Sequence, residues 1–197
     1  MDSAPELMPL VSIAIGLGLA AAAGFRVFVP LLALGLASRQ GLVALAPGFE
    51  WLASPPALIA FGTATVVEVL AYHVPILDHL LDVIATPSAI VAGTIASAAV
   101  LTDLPPVVKW SVAVLAGGGA AGLVQTATVL TRVGSTTFTG GLGNILFASF
   151  ELFGAVGTVV LAIALPMVMF GLLLLLLVAA AVIVTRVARG KDAERAA

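Results

Sequence analysis

The chain has no cysteine, and charge and aromatic groups are scarce: 9% of its 197 residues are charged, 6% are aromatic, and there are two histidines and one tyrosine. Without cysteine there are no disulfides, no thiolate metal sites and no cysteine nucleophile. Charge this sparse excludes an ordinary soluble domain, in which about a quarter of residues are charged. No basic block lies outside the C-terminal tail and the net charge is −2, so no nucleic acid partner is expected. No HExxH, CxxC, GxxxxGK[ST] or calcium-loop spacing occurs, and no nucleophile is paired with a base in a recognisable pattern. Neither an enzyme nor a bound cofactor is therefore expected.

What the chain does have is apolar surface. Hydrophobic residues make up 61% of it, and its mean hydropathy is +1.24. That is a polytopic membrane protein, whose first partner is the lipid bilayer. The opening stretch MDSAPELMPLVSIAIGLGLAAAAGF ends in small residues, as a signal peptide does, but carries Asp2 and Glu6 where a signal peptide needs positive charge. It reads as a first membrane helix. Crossing a hydrocarbon core of ~30 Å takes about 20 apolar residues. On that measure spans are expected near Leu7–Leu36, Pro56–Tyr72, Val83–Leu101, Val107–Leu130, Thr139–Val160 and Leu165–Val184. The first is too long for a straight crossing and is expected to tilt or break at Gly24-Phe25-Arg26. Pro166 marks the division between the last two. Trp51 and Trp110 fall beside span ends, where an indole prefers the headgroup level.

Arg186, Arg189, Lys191 and Arg195 put half of the basic residues into the tail. The positive-inside rule then places the C-terminus in the cytoplasm, in a bacterial plasma (inner) membrane. Six spans would bring the N-terminus to the same side.

A pattern recurs along the chain. AAAAGFRVFVPLLALGLAS (Ala20–Ser38) parallels GGAAGLVQTATVLTRVGS (Gly118–Ser135). ATVVEVL around Glu68 parallels FASFELF around Glu151, and TPSAIVAG at Pro87 parallels LPMVMFG at Pro166. The expected architecture is all-α: a single membrane domain of about six transmembrane helices, as two inverted three-helix repeats at about 7–104 and 105–185, followed by a basic tail at 186–197. Three spans per unit, an odd number, force opposite orientations, and sites in such proteins lie at the repeat interface.

Two acids stand out against this frame. Glu68 follows Pro56 by twelve residues and Glu151 follows Thr139 by twelve, which puts each roughly 18 Å along its helix. A carboxylate deep in a bilayer costs a few kcal/mol and usually faces the bundle interior on an ion or proton pathway. The alternative is that each pairs with Arg26 or Arg132 to fix helix packing. Arg26 itself either snorkels, pairs with a glutamate, or provides a positive charge for an anion.

Two polar connections complete the candidates. In YHVPILDHLLD, Asp78 and Asp82 share a helical face with His79 beside it. This is a polar mouth or hydrated turn, and a weak candidate for a metal. RVGSTTFTGGLGN, from Arg132 to Asn144, has four hydroxyl residues and four glycines, with Thr139 and Asn144 among them. It reads either as a flexible connection or as an exposed nest of backbone N–H groups suited to an anion or polar substrate group. Gly16, Ala20 and Gly24, Gly118 and Gly122, and Gly93 with Ser97 are spaced by four, for close packing within the chain or in a homo-oligomer.

Taken together, AAAAGFRVFVPLLALGL, VEVLAYHVPILDHLLDVI and TRVGSTTFTGGLGNILFASFE resemble a bacterial integral-membrane family, domain of unknown function 4126, over about Val11–Pro166. The resemblance rests on an arginine after a glycine-rich run, a glutamate followed by Asp-Lys-Ile-Pro-x-x-Asp-x-x-x-Asp, and Thr-Gly-Gly-x-Gly-Asn leading to an acid. Arg26, Glu68, Pro75, Asp78, Asp82, Thr139, Gly140, Gly141, Gly143, Asn144 and Glu151 match. Tyr72-His73 stands where the family has Asp-Lys. The resemblance implies which residues matter and brings no activity. The functional expectation is a transporter or channel for an ion or small polar solute, with the buried carboxylates binding protons or a cation. The alternative is a membrane scaffold whose buried charges only lock helices together.

Overall fold

A computed structural model describes the backbone of residues 4–72 and 75–196, and the side chains of 8–72, 83–179, 181, 182, 185 and 186. Among them every regular element is helical: α1 (Ala4–Phe25), α2 (Phe28–Arg39), α3 (Pro55–Ala71), α4 (Pro75–Val100), α5 (Pro106–Val112), α6 (Gly119–Thr139), α7 (Leu142–Ala164) and α8 (Pro166–Ala196). A 3₁₀ turn, Glu50–Ala53, precedes α3, and a π-helical segment, Ala113–Gly118, joins α5 to α6.

Proline sets four of these eight starts. α3, α4, α5 and α8 each begin at one, where the missing N–H has no partner to lose and φ is already helical. Ser54 caps α3 by accepting from the Ala57 N–H at 3.4 Å. Glycine sets the sharpest turn: Gly140 and Gly141 join α6 to α7 with φ of 62° and 92°, a conformation that side-chain-bearing residues rarely adopt.

α1 is the axis of the bundle, packed against α4, α6, α7 and α8. Ala20, Ala21, Ala22 and Ala23 are buried along it, so neighbouring backbones approach closely. The small-residue spacing serves contacts inside this chain. Gly16 lies against Ser97, whose hydroxyl donates to the Gly16 carbonyl at 2.9 Å, and Gly93 lies against Ala121. At Gly24 a Cβ would sit 2.5 Å from the Ala121 carbonyl oxygen and 2.6 Å from Val124 Cβ. Gly24→Ala is therefore expected to cost about 1–3 kcal/mol through overpacking. Gly62→Ala, which meets nothing within 4 Å, should be neutral or slightly stabilising; thermal unfolding of both variants in detergent checks the contrast.

Among the described residues four stretches are long and apolar enough to cross a membrane: Met8–Phe25, Val83–Val100, Pro106–Thr139 and Leu142–Ala164. Phe28–Arg39, Pro55–Ala71 and Pro166–Ala179 are shorter apolar helices. The long first segment breaks where expected, between Phe25 and Phe28. Pro30 explains the place: in an unbroken helix its ring would strike the carbonyl of Arg26, four residues earlier. A second break falls at Leu165, ahead of Pro166.

Three expectations need correction. ILDHLLD does not belong to a connection, because α4 begins at Pro75 and these residues form its first turns. Pro87 lies inside α4, so the third helix of the first unit is opened by Pro75 instead. The segment Arg132–Asn144 is not a loop and not an exposed nest, since α6 continues through Thr139 and only Gly140 and Gly141 turn. Thr136, Thr137 and Thr139 return their hydroxyls to the carbonyls of Arg132, Val133 and Ser135, so they are satisfied without leaving the helix.

One end of the bundle is aromatic. Phe49 packs on Trp110 at 6.1 Å and Trp51 on Phe61 at 6.0 Å, while the Lys109 ammonium lies 5.5 Å from the Phe49 ring. The Ala46 N–H donates to the Ala99 carbonyl at 2.7 Å and ties the α2–α3 connection to the end of α4.

Candidate functional site: a buried charge cluster at a broken helix

The break in α1–α2 leaves the N–H groups of Val27 and Phe28 without the helical acceptors they would otherwise have. Glu68 takes both. Its Oε1 accepts from Val27 N at 2.8 Å and its Oε2 from Phe28 N at 3.2 Å, so a carboxylate from α3 caps the N-terminus of α2. The positive end of the α2 dipole reinforces that contact. Glu68 sits in the last turn of α3, not at its middle, and within Pro55–Ala71 it is the only buried residue. α3 is otherwise a peripheral helix, with Val66, Val67 and Leu70 exposed.

Glu151, on α7, faces Arg132 on α6. Arg132 Nε donates to Glu151 Oε1 at 3.0 Å and Arg132 Nη2 to Oε2, a two-pronged pair of the geometry guanidinium favours. Arg26 approaches the same carboxylate, its Nη2 3.5 Å from Glu151 Oε2, and donates from Nη2 to the Ala148 carbonyl at 2.7 Å. Arg26 is 1% exposed and Arg132 2%, so neither snorkels to an interface. Among the described residues Nε and Nη1 of Arg26 have no hydrogen-bond partner.

Tyr72 joins the two halves of the cluster. Its ring lies 4.2 Å from the Arg26 guanidinium carbon and 4.0 Å from that of Arg132. A π-face is a favourable neighbour for a desolvated guanidinium, and here one ring serves two. Arg26, Glu68, Tyr72, Arg132 and Glu151 thus form one assembly contributed by α3, α6, α7 and the α1–α2 break.

The structure does not bring all the sequence candidates together. Thr139 and Asn144 brace the α6–α7 turn: Thr139 Oγ1 accepts from Gly143 N at 3.0 Å, and Asn144 Nδ2 donates to Thr136 Oγ1 at 3.0 Å. The side chains of Asp78, His79 and Asp82 lie outside the described residues, and so does any test of the metal they were weighed for. Among the described residues no group of three or more metal-ligating side chains occurs.

Sequence reasoning did not single out Tyr72 as a partner of the charges, nor the polar face of α6. Gln125, Thr128, Arg132 and Ser135 are all buried on that helix, at spacings of three, four and three. A polar stripe of helical period inside an apolar chain is a readable signal for a buried face. The Tyr72 contacts carry no local signal.

Among the described residues, cavities reach both carboxylates. One of about 330 Å³ lies between α6 and α7, lined by Phe25, Thr128, Thr131, Phe150 and Glu151 among others. The other, about 200 Å³, lies at the N-terminus of α2 and is lined by Val27, Phe28, Glu68 and Tyr72 together with Ala64 and Ile84.

A family model described as Domain of unknown function (DUF4126) matches residues 13–186. The chain belongs to that family. The match runs through α8 as far as its first arginine, so the last helix is part of the DUF4126 unit, where the motif resemblance stopped at Pro166. No curated protein and no solved structure matches the chain. All the members of the charge cluster fall inside the DUF4126 match.

Proposed function

We propose that this DUF4126 protein is a small membrane transporter or channel that passes an ion or small polar solute. The observation that carries the reading is the burial of two arginines and two glutamates around a broken apolar helix. Ionisable groups in membrane helices are costly, and where they occur they mark substrate and ion paths. Broken helices with exposed ends are the usual material of such sites. A polar line supports a route outward: from Arg132 the α6 face continues through Ser135 and Thr139 to the turn at Gly140, with Thr136 and Asn144 beside it.

The two-unit plan fits this reading. In this reading α1–α2, α3 and α4 are one unit and α5–α6, α7 and α8 the other, each opening on an irregular helix, broken between Phe25 and Phe28 in the first and π-helical but continuous over Ala113–Gly118 in the second, and each followed by a helix carrying a buried glutamate. The two glycine-rich runs meet directly, Gly24 against Ala121, at the interface where a site between inverted repeats belongs. The basic tail favours a cytoplasmic C-terminus in a bacterial inner membrane. The pairing of Glu151 with Arg132, and of Glu68 with α2, argues against free carboxylates waiting for a cation.

The Arg132–Glu151 pair also favours a second reading, a non-transporting scaffold in which the charges fix helix positions. Reconstitution separates the two. The full chain in liposomes is expected to pass at least one member of a panel of protons, alkali cations, halides, small carboxylates and polyols. Arg26→Gln, with folding intact, should reduce that flux at least tenfold. No flux across the whole panel, with loss of folded protein in the variant, would establish the scaffold instead.

A further inference from the structure

We propose that α3 is a strap whose last turns lift away from α2 and α4, that Glu68 and Tyr72 are its clasp, and that lifting it uncovers Arg26 and Arg132. The proposal rests on the transport reading for its purpose and deepens it by naming the part that moves.

The two ends of α3 are held in different ways. Ahead of the first, Leu52 is completely buried, and Ser54 caps the helix. Gly35 of α2 lies so close to the Leu52 carbonyl oxygen and to Leu58 Cδ2 that a Cβ there would strike both, and Trp51 packs on Phe61. Tight packing makes this end a fixed pivot. Toward the other end Val66, Val67 and Leu70 are exposed, and Glu68 is the one buried residue of the helix. In lipid that exposure costs little, since acyl chains are as apolar as the protein surface they replace. Polar contacts therefore hold these turns: the Glu68 carboxylate on the Val27 and Phe28 N–H groups, and beyond it the Tyr72 ring on two guanidiniums.

Two further observations mark the closed strap as incompletely fitted. A cavity of about 200 Å³ lies between Ala64 and Val67 on the strap and Ile84, Ala85 and Ser88 on α4, so there is little interlocking to undo when the last turns rise. Thr65 Oγ1, one turn before Glu68, is shielded and has no hydrogen-bond partner among the described residues, whereas Thr94, Thr126 and Thr131 return their hydroxyls to their own helices. Closure thus leaves a polar group unpaired, which opening to water would satisfy. Segments with few buried contacts are the ones that open first in a folded protein. Opening does not strand the charges, because Arg132 keeps both bonds to Glu151, and Arg26 keeps the Ala148 carbonyl and its approach to Glu151. What the two guanidiniums lose is their cover.

The test uses the absence of cysteine, which lets each introduced thiol report alone. Ala85→Cys places one in the wall of the cavity, and Ala96→Cys, about three turns further along α4 at a completely buried position, is the reference. A charged methanethiosulfonate reagent, which needs water and a thiolate, is applied to the purified full chain in detergent. Ala85→Cys is expected to be modified while Ala96→Cys is not. Adding Glu68→Gln should speed modification at Ala85→Cys roughly tenfold or more and leave Ala96→Cys as it was, since glutamine accepts through one oxygen only and turns an N–H toward the second donor. Tyr72→Leu, which unfastens the other half of the clasp, should act in the same direction and decides the matter where Glu68→Gln is not recovered folded. Faster modification at both thiols together would show general loosening, make Glu68 a structural cap and overturn the strap. So would an unchanged rate at Ala85→Cys in the clasp variants, or failure of both variants to fold. Opening at Ala85→Cys without flux of any solute in liposomes would remove the transport reading and leave the strap standing. Flux without opening would do the reverse.

Discussion

Glu151→Ala is expected to cost about 3–5 kcal/mol, the range for breaking a buried ion pair by removing one partner. The substitution strips Arg132 of both hydrogen bonds to the carboxylate and Arg26 of its nearby counter-charge, at positions that water does not reach. Loss of that size is a large part of a domain's stability and should show as a marked fall in thermal midpoint and in the yield of folded protein. The informative companion is the triple variant Arg26→Met, Arg132→Met, Glu151→Leu. Replacing a buried charged group as a unit by apolar side chains of similar volume is often neutral or stabilising, because the desolvation cost goes with the charges. The triple variant is therefore expected to recover most of the loss. If it folds well and passes no solute, the charges serve transport; if it folds and flux is unchanged, the transport role of the cluster is excluded.

Tyr72→Ala should be nearly as damaging, at about 3–5 kcal/mol, the range for truncating a buried aromatic residue. Tyr72 is 3% exposed, and its ring is the neighbour of two guanidiniums, at 4.2 and 4.0 Å. Alanine leaves a void and removes both cation–π contacts, each about 2 kcal/mol when desolvated. It also leaves the two like charges without the aromatic ring that both approach. Tyr72→Phe keeps the ring and should retain the greater part of the stability, whereas Tyr72→Leu restores volume without the π-face and should fall between. A double-mutant cycle of Tyr72→Leu with Arg26→Met reads the coupling directly, with about 1–2 kcal/mol expected. Independence of the two substitutions would remove the stacking role.

Several of these features were legible in the linear chain. The apolar composition pointed to an all-helical chain with helices long enough to cross a membrane, because only helices or closed barrels satisfy the backbone in lipid, and the long apolar runs have helical length. The break near Gly24–Arg26 and the division at Pro166 followed from local chemistry, since proline acts on carbonyls four residues away whatever surrounds it. The choice of Arg26, Glu68 and Glu151 also followed locally, because charge is conspicuous where nearly everything else is apolar.

Other points were settled by distance in space. Whether Arg132 or Arg26 would neutralise Glu151 depended on the rotation of α6 against α7, which packing determines. Glu68 became a helix cap because the α1–α2 break presents its two N–H groups to the last turn of α3, forty residues away in the chain. Tyr72 acquired its role from two arginines on separate elements. The threonine-rich run before Gly140 looked like a loop by composition, yet in apolar surroundings its hydroxyls bond back to their own helix and the turn contracts to two glycines. The sequence by itself determined which groups must be shielded from lipid, since the cost of exposing a charge or a backbone N–H there is a local property. Only the tertiary structure decided which partner shields each one, because that depends on which helix faces bring their donors and acceptors within about 3 Å of one another.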